Sequence, residues 1–478
     1  MERLFVLVIL LLTFSLEAKS LDLHEAIHIA LENNLELKFA KFDETLRLHQ
    51  LKILRQKFNP QLFFNASATI HHETYFQENF DEKKIHTYPS VKMMTPYGTQ
   101  LEIFTEQNVG FERYQKSSGT ALRISIEQPL LQGRRKLVNT WEINNAIILN
   151  DIQQLLFQQT QEQVIYQVIV DFRALQLCSE NVTLQEHWLK NAKQFYQNMQ
   201  EKVVAGRVAV NDLNAALLQV KQAEINLNQA QFEQTQAKRR LIENLHLTDE
   251  SITFKLDEPK MSESRWSLPK VIDEVIANDI EGKVLTLNKE RVAHQLVIAK
   301  DQNLPHLKLR GDWTVGRYHI YGEKADEFSD ETVFGYPFVH DNGNYTAQML
   351  LNIPLSDKQQ RYHRILAARS EIEKLEYESQ HHHLRMKNFA TSLLEQIQVK
   401  KRQLQLAQES LKLAQKNYND TLLKLEVGRS SLFEMVNQQE RLLRAQMAKN
   451  ANQIAYYNSV ANLELNAGRL AKNWLGTA

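Results

Sequence analysis

The chain has a single cysteine, Cys178, in 478 residues, and so no internal disulfide framework. Cys178 falls in a helix-like stretch and reads as a small buried side chain rather than a nucleophile. An excess of either charge is also missing. Lys+Arg and Asp+Glu both count 57, so the chain lacks the basic field that nucleic-acid binding uses. Long apolar runs are absent beyond the N-terminus, where no segment reaches the roughly 20 residues of a spanning helix. There is no CxxC, HExxH or glycine-rich phosphate loop, nor a locally supported Ser/His/Asp set, so no catalytic or cofactor constellation is legible.

The N-terminus is the exception. Arg3 precedes an apolar run from Leu4 to Leu12 that continues through Phe14 and Leu16. Ala18 and Ser20 then stand at the −3 and −1 positions of a cut before Leu21, the pattern of a cleaved secretory signal over 1–20.

Glycine and proline are scarce in two long stretches and dense between them. From Arg134 to Glu258 the one breaker is Gly206, and from Leu355 to Ala467 it is Gly428. Pro60 to Gly133 and Pro305 to Pro354 hold most of the others, which predicts helix in the first two stretches and sheet with turns in the second two.

The halves also align. A shift of 245 puts Leu23 on Leu268, Asn33 on Asn278 and Pro60 on Pro305. A shift of 225 puts Pro129 on Pro354, and one of 222 puts Tyr196, Gly206 and Arg207 on Tyr418, Gly428 and Arg429. The expectation is an internal duplication, 21–258 and 259–478. Each half carries a helix, a β-hairpin segment (60–129 or 305–354) and a long helical hairpin with its tip near 206 or 428. The first β segment is 20 residues longer than the second, an excess expected in an outward-facing loop.

The apolar stripes are narrow: Leu213, Leu217, Val220, Leu227, Ala230, Ala237 and Leu241 in one return run, and Leu432, Val436, Leu443, Met447, Ile454, Tyr457 and Ala461 in the other. Seams this narrow suit coiled-coil contact, in a tube wall or in a simple rod. In the β segments, 61–76, 121–126, 307–315 and 345–353 alternate apolar with polar residues, as a barrel strand does and as a half-exposed soluble sheet also can. Helices flanking a β segment lie on one side of the membrane, so each half crosses an even number of times. Two strands per half give four per chain, too few to close a barrel alone. The piece 91–109, with its Pro96-Tyr97-Gly98 turn, could form a further hairpin, and a loop is the favoured reading. His381-His382-His383 is read as a solvated helix face, because consecutive helical positions diverge.

With these features in place the chain resembles the TolC family of outer-membrane efflux proteins. The likeness is carried by Leu23-His24-Glu25-Ala26-Ile27 through Asn33-Asn34, by Gln128-Pro129-Leu130-Leu131-Gln132-Gly133, and by Tyr418 with Val427 to Glu434. It implies a mainly α fold with a β-barrel part, in which long antiparallel helical hairpins form a periplasmic tunnel and a homotrimer shares a barrel of twelve strands. It also implies an outer-membrane duct that moves substrates without chemistry, in efflux or type I secretion, with a periplasmic adaptor and an inner-membrane pump as partners. Gly206, Arg207, Gly428 and Arg429 would form the adaptor-docking tip turns, and Asp212, Arg429, Glu434 and Asn437 the periplasmic gate. Where family members place a second carboxylate this chain has Asn437, and Leu425 and Ser430 stand at the gate tyrosine and arginine positions. Arg429 is the candidate partner of Asp212, although one residue of offset turns a helical side chain by about 100°. Asp212 and Glu434 also read simply as first-turn acids that favour helix N-termini. A soluble periplasmic coiled-coil scaffold remains the rival from another class.

Overall fold

The computed structural model describes residues 20–75, 78–111, 115–205, 209–247, 252–256, 268–322, 344–353, 358–426 and 429–475. Residues 1–19 of the predicted signal sequence, residues Gly206, Arg207 and Gly428, and residues 323–343 lie outside the described residues. Contacts divide the chain into two units: one of residues 1–42, 154–282 and 381–478, the other of residues 43–153 and 283–380.

The first unit is helical, and the helices described next belong to it wholly or in part, except the single turn Lys136–Asn139. α1 (Leu23–Asn33) starts at a reciprocal cap, in which Asp22 accepts from the Glu25 N–H at 2.7 Å and Glu25 accepts from the Asp22 N–H at 3.1 Å. α2 (Leu35–Arg55) follows. α4 (Trp141–Val204), preceded by the single turn α3 (Lys136–Asn139), runs 64 residues, and α5 (Val210–Asn244) returns. In the second half α6 (Leu268–Asn278) and α7 (Ile280–Gln302) precede the 69-residue α8 (Lys358–Glu426), its return helix α9 (Leu432–Asn466) and the short α10 (Leu470–Leu475). Helices this long form because nothing in 141–204 or 358–426 breaks the hydrogen-bond ladder.

Two matched cores hold the unit together. Ala26, Ile27 and Ala30 of α1 pack on Ile165, Ile169 and Phe172 of α4 and on Leu241 of α5. Val271 and Val275 of α6 pack on Leu393 and Ile397 of α8 and on Leu463 of α9. A third cluster joins Trp188 and Ala192 to Val220, Ala223 and Leu443. The buried seam of α5 keeps Val220, Ala230, Ala237 and Leu241 from the predicted stripe and adds Ala216 and Ala223, whereas Leu217 is exposed. Alanine at these positions lets helix axes approach closely. The parallel two-residue strands β1 (Ser20–Leu21) and β6 (Thr253–Phe254) close one side of the first core. Cys178 is half-buried against that core, and burial together with Glu233 raises its thiol pKa, so the thiol stays protonated.

Matched positions do matched work. Asn33 Nδ2 donates to the Leu245 carbonyl at 3.5 Å, and Asn278 Nδ2 donates to the Ala467 carbonyl at 2.8 Å. Each asparagine satisfies an orphan carbonyl where a return helix ends. Both ends are Schellman turns: Leu247 N–H bonds Ile242 O and Arg469 N–H bonds Glu464 O, with His246 (φ 50°) and Gly468 (φ 64°) in the left-handed position. The helices α5 and α9 are 35 residues each and begin 222 positions apart, the offset expected from the tip residues.

One predicted feature is corrected here. His381 and His383 are exposed, but His382 is 4% exposed and its Nε2 meets the Asp279 carboxylate, with Arg385 3.0 Å from its Nδ1. A helix that packs along one side must turn one of three consecutive residues inward, so the triple is not a uniformly solvated face.

The second unit holds the helical residues 43–55, 136–139, 141–153, 283–302 and 358–380 and a six-stranded antiparallel sheet: β2 (Gln61–Tyr75), β3 (Glu78–Met94), β4 (Gln100–Phe111), β5 (Gln115–Pro129), β7 (His306–Gly322) and β8 (Asn344–Asn352), in that spatial order. The reading of 91–109 as a loop is therefore overturned, and with it the count of four strands per chain. The first half contributes a four-stranded meander, and its extra length lies in strands rather than in an outward loop.

Two predictions follow from the helical unit. Gly468→Ala should lower the thermal midpoint of helix loss by circular dichroism, at a cost of roughly 1–2 kcal/mol. A methyl group there sits at positive φ and 2.8 Å from Asn278 Cγ. His246→Gly, where the backbone already holds that conformation, should leave the midpoint equal or higher. Arg173 is 6% exposed, donates to Asn458 Oδ1 at 3.2 Å and lies over the Tyr457 ring. Burial pushes its pKa down to about 10 and pushes that of Glu464 up, each opposed by the other's charge. Arg173→Met alone should destabilise by roughly 2–4 kcal/mol, and adding Glu464→Gln should recover most of that.

Candidate functional site

The sheet has two chemically distinct faces. Because side chains alternate across a strand, the register settles which residues share a face. One row runs Leu62, Val91, Ile103, Ile124, Trp313, Tyr345 across all six strands. The row beside it, on the opposite face, runs Gln61, Lys92, Glu102, Ser125, Asp312, Thr346. The first row is wholly apolar and the second wholly polar. At the sheet's two edges the apolar side chains stand open, with Leu62 81%, Phe64 74%, Tyr345 72% and Met349 68% exposed.

The polar face is charged yet balanced. Lys92 pairs with Glu102 at 2.9 Å, Lys308 with Glu127 at 2.6 Å, and His86 stands 3.2 Å from Glu106. Arg310 forms a fork on Asp312 at 3.0 and 3.1 Å. Arg123 donates to Thr314 at 3.2 Å and caps the Phe104 ring. Such a face is stable against water, and the apolar row on the opposite face is stable against hydrocarbon.

One end of the sheet is locked at the β3–β4 turn. Asn139 Nδ2 donates to the Pro96, Gly133 and Arg135 carbonyls at 3.1, 2.7 and 3.2 Å, and Gly133 N–H donates to Asp301 Oδ2 at 2.8 Å. Gly98 (φ 81°) lies so close to Gly133 that a Cβ would meet its carbonyl at 2.4 Å, so this turn requires glycine twice over. The motif Gln128 to Gly133 thus ends a strand and anchors the neighbouring turn.

At the helical tips, the described residues give a plainer picture than a gate. Asp212 is exposed in the first turn of α5, and Arg429 is exposed with its N–H on the Lys424 carbonyl at 2.8 Å. Among the described residues neither forms an ion pair within the chain. Glu434 accepts from the Ser430 hydroxyl at 2.8 Å, while Ser431 caps the Glu434 N–H at 3.2 Å. Asn437 is half-exposed one turn further on. Within one chain, then, Glu434 acts as part of an N-cap.

The strand pair β3–β4 and the Asn139 lock escaped sequence reasoning. The signal for the strands was present: Ile85, Pro89, Val91 and Met93 alternate with Lys84, His86, Tyr88 and Lys92. Asn139 left no local trace, because its partners lie 4 to 43 residues away along the chain.

Long paired helices, together with an antiparallel sheet that carries an apolar row on one face and a polar row on the other, fit a channel of the outer-membrane type. Residues 26–245 and 271–469 match the family described as outer membrane efflux protein, and the chain belongs to that family. Solved structures agree in fold. They include the outer-membrane channel OprN (TM-score 0.67, 12% identity, 93% of this chain and 89% of that one). VceC of Vibrio cholerae is similar at TM-score 0.66 and 12% identity over 93% and 96% of the two chains. CmeC of Campylobacter jejuni is similar at TM-score 0.64 and 15% identity over 94% and 88%. A search of curated protein sequences matched none. No helix among the described residues is long and apolar enough to cross a membrane.

Replacing Lys92 and Lys308 together by Gln leaves Glu102 and Glu127 unneutralised on the polar face. In planar bilayers the double variant should shift the reversal potential toward cation preference. An unchanged potential would place that face outside the conducting path.

Proposed function

We propose that three copies of this chain form an exit duct whose strands line an outer-membrane pore and whose helices form a periplasmic tunnel, receiving cargo from an inner-membrane pump through a periplasmic adaptor. The observation that carries this reading is the pair of rows across the sheet, one apolar for lipid and one charged for water. A six-stranded sheet with open edges is no pore by itself, so neighbours of the same kind complete it.

The helices point the same way. Leu218, Ile225 and Phe232 of α5 are exposed at intervals of seven, as are Val399, Leu406 and Leu413 of α8. Seams at that spacing are the contact surface of a coiled coil, here without a partner in the single chain. Copies set side by side would cover them and build the tunnel wall.

At the tips, the turns at Gly206, Arg207, Gly428 and Arg429 meet the adaptor. Asp212, Arg429, Glu434 and Asn437 ring the entrance, and threefold repetition makes the exposed Asp212 and Arg429 available to neighbouring copies. Cargo moves outward without bond chemistry, so selectivity belongs to the pump, in efflux or in type I secretion.

Cysteines at Arg207 and Arg429 in a Cys178→Ser background test the reading. Oxidation across neighbouring tips should abolish export, leave the trimer intact by mass in detergent, and be reversed by reductant. Export that continues in the cross-linked trimer would refute tip gating. A soluble periplasmic monomer that conducts no ions would refute the duct itself.

A further inference from the structure

The number of strands sets the width of a barrel, and this chain carries six. Taking the trimeric duct proposed above as the basis, we infer that all six strands, including β3 and β4, form the barrel wall, so that three copies close an eighteen-stranded pore.

The first support is continuity. The apolar row Leu62, Val91, Ile103, Ile124, Trp313, Tyr345 crosses β3 and β4 without interruption, and so does the polar row on the other face. A hairpin folded away from the membrane would have no reason to place Val91 and Ile103 in register with the lipid-facing residues of its neighbours. Nor could β2 reach β5, because β3 and β4 hold every ladder position between them.

The second support is closure. In hydrocarbon an unpaired strand edge leaves backbone N–H and C=O groups with no partner, at several kcal/mol per group. The sheet has two such edges, β2 and β8. All five pairings in the sheet are antiparallel, so β2 and β8 run in opposite directions. β8 of one copy therefore pairs antiparallel with β2 of the next, and the ring closes with no parallel joint. The most exposed apolar side chains of the sheet, on β2 and β8, stand beside those joints.

The third support is the lock on the β3–β4 turn. The Asn139 amide bridges the Pro96 carbonyl of the turn and the Gly133 carbonyl, and Gly98 packs tightly on Gly133, so the hairpin is fixed to the end of β5 rather than hanging as a loop.

The consequence is a wide mouth. Eighteen strands about 4.8 Å apart and tilted about 40° make a ring roughly 36 Å across between backbones, against roughly 24 Å for twelve. A pore of that size is water-filled and, with its ion pairs balanced, selects weakly by charge. Narrowing and control would then fall to the tunnel.

Electron cryomicroscopy of the full-length trimer in lipid nanodiscs should show eighteen strands. A trimer with twelve overturns this inference and leaves the duct reading standing, whereas a monomer overturns both. A second measurement does not depend on image quality. In a Cys178→Ser background, bimane on Val91→Cys and on Ile103→Cys should be quenched by brominated lipid at least twofold, as on Leu62→Cys, while Lys92→Cys, exposed on the other face, should not respond. Labels at 91 and 103 that resist lipid quenching and react with impermeant thiol reagents would overturn it.

Discussion

A backbone amide in hydrocarbon has no water to turn to, and the sheet of this chain is organised around that constraint. Strands must find strands, and the last strand must find the first. Everything else in the second unit accommodates this requirement. Alternation puts Leu62, Val91 and Ile103 on one side and Lys92, Glu102 and Asp312 on the other. Charges on the polar side meet partners within the same sheet, so the face is wet without carrying a strong field. Among the described residues neither edge is satisfied inside one chain, which is why the proposed duct needs neighbouring copies.

The helical unit solves a different problem. Helices of 64 and 69 residues cannot each bury a broad face and still be wet on two sides, so their cores are narrow and rich in alanine. Stability is concentrated where α1 and α6 dock, through Ile27 and Val275, and where Asn33 and Asn278 cap the return helices. Elsewhere the surface keeps apolar residues at sevenfold spacing, available to a neighbour. The division suits a tunnel: firm where helices end, adjustable along their length.

Legibility followed the range of the interaction. The absence of glycine and proline over 141–204 and 358–426 was enough to predict the long helices, since a helix closes its hydrogen bonds locally. The repeated offset of 245 pairs Asn33 with Asn278, which do matched work, and that of 222 matches the starts of α5 and α9. The strands β3 and β4 were misread even though 84–93 alternates. Pro89, Pro96 and Gly98 looked like loop punctuation, and a strand is settled by its partners rather than by its own residues. His382 was misread for the same reason, because which of three histidines turns inward depends on where Asp279 arrives. The tip-turn residues Gly206, Arg207 and Gly428 lie outside the described residues, and in the gate set Asp212 and Arg429 stand exposed without an ion pair among the described residues. Glu434 turned out to be held by Ser430 and Ser431, a local cap that the sequence Arg429-Ser430-Ser431 did display.

By itself, then, the amino-acid order determined the helices, their breaks, the alternating strands at the two ends of each β segment and membership of a channel family, because each of these depends on neighbours within a few residues. Tertiary structure alone decided that six strands rather than four share the sheet, that Asn139 and Asp301 lock its turn, and that its edges remain open. Those outcomes depend on groups tens to hundreds of residues apart meeting in space, and no local pattern records such meetings.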